Sequence, residues 1–365
     1  MTRFIHTGDI HLGFRFTNVS FGPDKGRRRR EELWSTFTRL ISYAMDENID
    51  VVMISGDLLE EDNFTRKDMY RLSELFRYSE RIKFVIIAGN HDILSFDSLL
   101  SNWEFSSNVT VLKGTEVQSI SFYDLGLTIH GVSWKKSVDP VDLLKSLQRV
   151  DGSKNILMLH GDVLGASKYM ALNKNHLETL GMDYIALGHI HKPMFVSENI
   201  AYCGSLEGLD FGETGERGFI LGELDRESMF QFIPFSLRSF HIHQLKLKGD
   251  MSLSEITEMA LKMILDSGKE NFHRIVLSGY SPLHFKSEAL VEQLVRDCYH
   301  LEIMDRSSPD IDLKELQELN NGNLIGAFIK SFSEDELTSA LGRKALFTGL
   351  EALLEGGTAD VDKRG

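Results

Sequence analysis

Short apolar runs alternate with stretches of helical periodicity through the first half of the chain. The runs are suited to buried strands, and they cover residues 4–7, 51–55, 84–88, 127–132, 156–160 and 184–187. Between them, apolar residues recur at the three-to-four spacing of a helix face. One such face comprises Leu33, Phe37, Leu40, Ile41 and Ala44, and a second is indicated by Leu143, Leu144 and Leu147. Strands that alternate with helices predict an α/β fold.

The pattern changes after residue 200, where short strand-like runs are broken by glycines. Residues 200–235 predict antiparallel strands that complete a second sheet. Beyond Arg238, strands at 241–247, 272–277 and 301–304 and helices at 253–265 and 289–298 predict a separate α/β domain. The predicted domains are therefore residues 1–238 and residues 239–310.

The last part of the chain is predicted to be helical, with helices at 313–319, 324–332 and 334–354 and a flexible tail at 356–365. We treat residues 311–355 as a C-terminal helical segment. Its last helix has apolar residues along one side: Leu337, Ala340, Leu341, Ala345, Leu346, Leu350 and Leu353. Such a stripe fits packing on the chain's own domain as well as binding to a partner.

Composition narrows the class of protein. The 365 residues are 42% hydrophobic and 26% charged, as in an ordinary soluble globular protein. No apolar run reaches the roughly 18 residues that span a bilayer, and the N-terminus enters a strand at once, so neither a membrane protein nor a secreted one is expected. Cys203 and Cys298 are too few for a disulfide framework. We expect a cytoplasmic protein.

The net charge of −14 argues against a protein that coats nucleic acid by bulk electrostatics, although basic groups can act locally. One basic cluster stands out: Arg27, Arg28, Arg29 and Arg30. The cluster fits the solvated start of a helix, and it also fits contacts to a phosphate backbone. Its position shortly after Asp9 and His11 favours the second interpretation.

Five clusters of metal-type ligands lie where predicted strands end. They are Asp9 with His11, Asp57, Asn90-His91-Asp92, His160, and His189 with His191. The carboxyl ends of strands in an α/β sheet meet at one edge, so these side chains should converge. One ion takes about four to six ligands, whereas the clusters offer seven and a spare histidine. Two ions that share a carboxylate would use them, and this favours chemistry on a phosphate ester.

Each cluster is weakly specific alone, but the ordered set resembles the calcineurin-like metallophosphoesterase superfamily. The resemblance implies a four-layer α/β sandwich, in which two mixed β-sheets are flanked by helices, and two divalent ions, with Mn²⁺ as the working metal. The first ion would be held by Asp9, His11, Asp57 and His191. The second would be held by Asp57, Asn90, His160 and His189.

The same resemblance makes His91 the catalytic imidazole and Asp92 its orienting partner. Two dications about 3.5–4 Å apart lower the pKa of a shared water, and the resulting hydroxide attacks the phosphate. His91 would then protonate the leaving group.

Other segments are similar to the nuclease subunit of SbcD type, including its YhaO-like branch. They are His11-Leu12-Gly13, Arg30-Glu31-Glu32, and residues 202–207 and 210–213. The similarity implies a DNA exonuclease and endonuclease of double-strand break repair, an α/β capping domain at 239–310, C-terminal helices that bind an SbcC-type coiled-coil ATPase, and a homodimer. The chain departs from the family at Glu60, where Asp or His is usual, and at Cys203, where proline is usual.

Two other functions remain open from the sequence. One is a metallophosphatase or phosphodiesterase for a small or protein-bound phosphate ester, with which the acidic net charge is compatible. The capping domain and the arginine cluster argue against it. The other is a non-catalytic scaffold that recruits a partner through its C-terminal helices. The intact ligand set and His91 argue against a scaffold.

Overall fold

A computed structural model describes residues 1–17, 22–114, 116–134, 143–165, 171–282 and 285–359. The chain forms two compact units, Met1–Phe240 and His241–Gly365. Residues 135–142, which precede the helix face predicted at Leu143, Leu144 and Leu147, lie outside the described residues, as do residues 360–365 of the predicted tail. Among the described helices, none has the length and apolar character needed to cross a membrane.

The first unit contains strands and helices in alternation. Its strands are β1 (Thr2–Thr7), β2 (Val51–Ser55), β3 (Lys83–Ile87), β4 (Val109–Val111), β5 (Gln118–Phe122), β6 (Leu127–Gly131), β7 (Lys154–His160), β8 (Tyr184–Gly188), β9 (Met194–Ser197), β10 (Ile200–Tyr202), β11 (Gly218–Leu224) and β12 (Met229–Pro234). Its helices are α1 (Gly22–Asp46), α2 (Arg66–Tyr78), α3 (Leu99–Asn102) and α4 (Lys174–Thr179), with 3₁₀ turns at Glu61–Asn63 and Tyr123–Leu125.

These strands form two mixed six-stranded sheets, so the predicted fold class is confirmed. The first sheet has the order β12-β11-β1-β2-β3-β4, and the second has the order β5-β6-β7-β8-β10-β9. β1 to β4 are parallel, as are β6, β7, β8 and β10. The prediction that residues 200–235 complete the second sheet is wrong for β11 and β12. β11 pairs antiparallel with the free side of β1 and so extends the first sheet.

A shared apolar core joins the two sheets face to face. Val85 and Ile87 from the first sheet are buried together with Ile129, Ile156 and Met158 from the second. Helices cover the outer faces. On the first sheet, Phe76 of α2 packs against both Phe37 of α1 and Phe84 of β3. On the second sheet, Leu177 of α4 joins Leu157 and Ile185. Because both cores bury strand side chains on both faces, the long apolar runs seen in the sequence are required.

The second unit has its own sheet and core. Its strands and first helices are β13 (Phe240–Leu247), α5 (Leu253–Asp266), β14 (Phe272–Ser281), α6 (Ser287–Leu294), β15 (His300–Asp305) and β16 (Ser308–Pro309). Ser252 and Glu255 form a capping box that fixes the start of α5. Ile256, Ala260 and Ile264 of α5 pack with Ile275 and Leu277 of the sheet.

The C-terminal helices are α7 (Leu313–Leu319), α8 (Leu324–Lys330), α9 (Glu334–Thr338) and α10 (Ala340–Ala359). The single helix predicted over 334–354 is wrong, because the backbone of Ser339 is extended and its Oγ accepts a hydrogen bond from Gly342 N at 2.9 Å. The serine caps a new helix instead of continuing the old one. Residues of the predicted stripe also differ in burial within α10: Leu346 and Leu350 are buried with Ile329, whereas Leu341 is 81% exposed.

Candidate metal centre

All five predicted ligand clusters lie at the carboxyl ends of β1, β2, β3, β7 and β8. The first two loops are tied together, since Asp9 N donates to Gly56 O at 3.0 Å and His11 N donates to Asp57 O at 3.0 Å. Four residues of the loops that carry the predicted ligands adopt a left-handed backbone: Asp9, His11, Asp57 and His189, with φ of 46°, 50°, 50° and 98°. Such conformations are unfavourable for residues with a side chain, and they concentrate where a fold fixes functional groups.

Two glycines let the loops approach closely. A Cβ added at Gly89 would collide with the Asp57 carboxylate, and one added at Gly188 would collide with the backbone oxygen of Ser55. A side chain at either position would push the loops apart. The glycines in these motifs therefore set the spacing of the ligands.

Asp57 lies at the centre of the cluster. Its Oδ2 is 3.4 Å from His160 Nε2 and 3.9 Å from His11 Nε2, and its Oδ1 accepts a hydrogen bond from His91 N at 2.8 Å. Burial raises the pKa of Asp57, but the charges of His160 and His11 outweigh burial and hold the pKa well below its usual value. The carboxylate is therefore ionised and faces imidazoles on both sides, as a bridging ligand requires.

One group of ligands comes from the second and third loops and the second sheet. Asn90 Oδ1 is 3.0 Å from both His160 Nε2 and His189 Nδ1. His160 Nδ1 is 2.9 Å from the backbone oxygen of Ser55, which leaves Nε2 facing the cluster. Burial lowers the pKa of His160, but Asp57 outweighs burial and raises it to about 9.

A second group comprises Asp9, His11 and His191, whose ligand atoms all lie within 4.8 Å of one another. His11 Nε2 and His191 Nε2 face each other at 3.0 Å. Their other ring nitrogens contact carboxylates: His11 Nδ1 is 2.7 Å from Glu60 and His191 Nδ1 is 2.6 Å from Glu213. A carboxylate on the far nitrogen of a histidine fixes the ring and its tautomer for metal binding.

The donor set fits divalent cations. Both groups mix carboxylate or amide oxygen with imidazole nitrogen, a combination that suits manganese, iron or zinc. The facing Nε2 atoms of His11 and His191 also suit a cation, since a carboxylate holds each ring at Nδ1 and both rings turn Nε2 to the same point. The structure thus brings all seven predicted ligands together.

His91 lies beside this cluster and is open to solvent, with 44% of its side chain exposed. Its Nδ1 is 3.1 Å from Glu60 Oε2, and this hydrogen bond is the main cause of its raised pKa. Glu60 thus contacts His11 with one oxygen and His91 with the other. From the sequence, Glu60 was noted only as a departure from the family, and its contact with His91 was not predicted. Its position three residues after the predicted ligand Asp57 was the one feature that could have indicated a role in the site.

Asp92 does not orient His91, contrary to the prediction. Its buried carboxylate accepts hydrogen bonds from the backbone of Gly89 at 2.6 Å, Leu58 at 2.8 Å and Asp57 at 3.2 Å. It therefore holds the second and third loops together, whereas Glu60 occupies the position next to the His91 ring. Asp92 acts on the shape of the site through the backbone.

Glu60→Gln is expected to lower kcat about 10- to 100-fold on a diester with a poor leaving group, the usual effect of removing a carboxylate behind a site histidine. The amide cannot stabilise a charged imidazole, so His91 should lose its proton at lower pH, and the alkaline limb of the pH–rate profile should move to lower pH. Glu61→Gln is the matched control, because Glu61 accepts from Leu99 N and a glutamine keeps that bond. An unchanged kcat and alkaline limb in Glu60→Gln would contradict this role.

The four arginines that were predicted to contact DNA lie on α1 and differ in their exposure to solvent. Arg29 is fully buried, and its guanidinium donates to Glu32 at 2.6 Å and Glu207 at 3.2 Å. Arg29 is therefore not available to a phosphate backbone. Arg27 and Arg28 are exposed, and Arg30 is partly exposed with Nη2 3.3 Å from Asn63 O, on the turn that follows Glu60.

Fold and site together define a metallophosphoesterase. Residues 2–193 match the calcineurin-like phosphoesterase family, and the chain belongs to it. Members of this family are hydrolases that bind divalent metals.

Individual relatives are 26% to 29% identical to the chain over the aligned residues. The chain is 26% identical over 300 residues to the uncharacterized metallophosphoesterase YhaO of Bacillus subtilis, a match that covers 76% of this chain and 72% of YhaO. It is 29% identical over 197 residues to the DNA double-strand break repair protein Mre11 of Sulfurisphaera tokodaii, covering 52% of this chain and 49% of that protein. It is also 29% identical over 219 residues to Mre11 of Methanocaldococcus jannaschii, covering 56% of each. The chain thus spans about half the length of these two Mre11 relatives.

Proposed function

We propose that the protein is a manganese-dependent phosphodiesterase that cleaves DNA in double-strand break repair, as exonuclease and endonuclease. The observation that carries the proposal is the arrangement of six further candidate ligands around Asp57, with His91 exposed beside them. Asp9, His11, Asp57 and His191 would hold one ion, and Asp57, Asn90, His160 and His189 the other. When bound, two such ions supply an activated water and neutralise charge on the phosphate.

The chain's own residues account for the remaining chemistry. His91 is within reach of a phosphate at the cluster, since its ring is 4.9 Å from the His11 ring between centroids. Its exposed position and its raised pKa keep a proton ready for the leaving oxygen. Glu60 fixes the orientation of that ring, and the buried loops exclude water from the ligands behind it.

DNA is favoured over a small ester by two features. The Mre11 relatives are named as DNA double-strand break repair proteins. In this chain, Arg27, Arg28 and Arg30 lie on the helix that faces the turn after Glu60, where a phosphate backbone that leaves the site could meet them.

The test uses the full chain with bis(p-nitrophenyl) phosphate and linear duplex DNA, each with manganese, magnesium or chelator. We expect manganese-dependent turnover of both substrates and none in chelator. Turnover of the small diester without any DNA cleavage would reject the nuclease and leave a small-ester phosphodiesterase. No turnover of either substrate would favour the alternative that the protein is a non-catalytic scaffold.

Arg27→Gln/Arg28→Gln is expected to weaken duplex DNA binding and to lower the slope of log K against log salt by about 0.9 for each phosphate that the variant no longer neutralises. Turnover of bis(p-nitrophenyl) phosphate should not change. Arg77→Gln/Arg81→Gln is the matched control, because these arginines are also exposed but lie where α2 leads into the start of β3, away from the ligand loops. An equal reduction of the slope in both variants would show a general effect of charge and reject a specific contact of the α1 arginines with DNA.

We further propose that the C-terminal helices bind an SbcC-type coiled-coil ATPase and that the chain forms a homodimer. Internal packing in this segment leaves Leu319, Leu324 and Leu341 exposed, which suits a protein partner. Light scattering of the chain alone and with the ATPase tests both points. A monomer that does not co-elute with the ATPase would reject them.

A further inference from the structure

A set of aromatic rings runs from the metal centre into α1. Phe14 packs edge-to-face on Phe16 with ring centroids 5.0 Å apart, and the buried Arg29 lies over the Phe16 ring at 5.5 Å. Beside them, Phe64 stacks on Trp34 at 5.9 Å. The rings of Phe16, Phe64 and Trp34 are buried.

Phe14 differs from the other three rings in two respects. Its side chain is partly exposed, and it is the ring that contacts the ligand His11, with centroids 6.5 Å apart at 75°. Its backbone is fixed by a turn in which Phe14 N donates to His11 O at 2.9 Å. The next residue, Arg15, is exposed. Of the four rings, Phe14 is therefore the one that a substrate held at His11 could contact.

We propose that Phe14 is the stacking platform for a nucleobase of the substrate, and that the site prefers strands with an unpaired base next to the cleaved phosphate. The inference rests on the proposed function and names its substrate more closely. A nucleotide joins its base to its phosphate through one sugar, so a phosphate held at His11 brings the base next to this ring. Every base has a π-face, and an aromatic side chain binds it with little dependence on sequence. A paired base inside a duplex is already stacked and cannot use the platform.

The test compares Phe14→Leu, which removes the π-face and keeps an apolar side chain, with Phe14→Tyr, which keeps the ring. Two single-stranded oligonucleotides of equal length are used, one intact and one with abasic residues around the cleavage position. Binding is measured by fluorescence anisotropy in chelator, and cleavage is measured with manganese. Tyr123→Leu is the control for removal of an exposed ring, since Tyr123 is 90% exposed and lies just before the start of β6, at the opposite end of the strands.

We expect Phe14→Leu to weaken binding of the intact strand about 5- to 100-fold, the effect of removing one base stack. Binding of the abasic strand should change little, and Phe14→Tyr should retain wild-type affinity. Equal reductions of affinity for both strands, or none in Phe14→Leu, would overturn the platform and leave the nuclease proposal intact. A wild-type protein that turns over bis(p-nitrophenyl) phosphate but cleaves no oligonucleotide would overturn both.

Discussion

Asp57→Asn is expected to reduce turnover of bis(p-nitrophenyl) phosphate by at least about 10³-fold, because it removes the one carboxylate that both proposed ions share. Two-ion stabilisation of the developing charge is worth several kcal/mol, and each 1.36 kcal/mol is tenfold in rate. The asparagine keeps an oxygen for His91 N, so the loop should stay in place. Metal content, measured by mass spectrometry after dialysis, should fall below two ions per chain.

Asp62→Asn is the matched control for this experiment. Asp62 is exposed on the 3₁₀ turn beside the site and contributes to none of the ligand groups within the described residues. It should bind metal and turn over substrate as the wild type does. Two ions and a wild-type rate in Asp57→Asn would refute the bridging role.

His91→Ala is expected to slow DNA cleavage about 10²- to 10⁴-fold, the range for removal of a general acid. The alkoxide that leaves from DNA needs a proton, whereas p-nitrophenolate leaves readily without one. The reduction in rate on bis(p-nitrophenyl) phosphate should therefore be much smaller. Because residue 91 donates to Asp57 through its backbone N–H, alanine keeps that hydrogen bond and metal content should not change.

The dependence on the leaving group is the control within this experiment. Equal reductions in rate on DNA and on the p-nitrophenyl ester would show that His91 acts through metal or substrate binding and not as a proton donor. A wild-type rate of DNA cleavage in His91→Ala would show that His91 takes no part in the reaction.

The sequence alone located the strands and the candidate ligands. β2 begins and ends at the predicted residues, and β1, β3, β7 and β8 each end within one residue of the prediction. These strands are buried on both faces, so the apolar runs are long and unambiguous. The ligands follow directly at the strand ends, where local sequence order fixes which side chains reach the common edge.

Only the tertiary structure assigned the charged groups that surround the ligands. Arg29 belongs to an arginine run in the sequence, yet its partner Glu207 is 178 residues away, and this pair buries it. Asp92 follows His91 in the chain, but its carboxylate accepts hydrogen bonds from the backbone of Asp57 and Leu58. The His91 ring contacts Glu60 instead. The assignment of β11 and β12 to the first sheet also depended on a distant strand, β1.

These differences have one physical cause. A hydrophobic run or a ligand at a strand end is specified by its own neighbours in the chain, so the five ligand clusters could be found from the sequence. The partner of a carboxylate or a guanidinium is specified by whatever the fold brings within about 3 Å of it. The sequence therefore determined the α/β fold and the side chains that meet at the candidate metal centre. The folded chain decided that Glu60 contacts both His11 and His91, and that Arg29 is withdrawn from the surface.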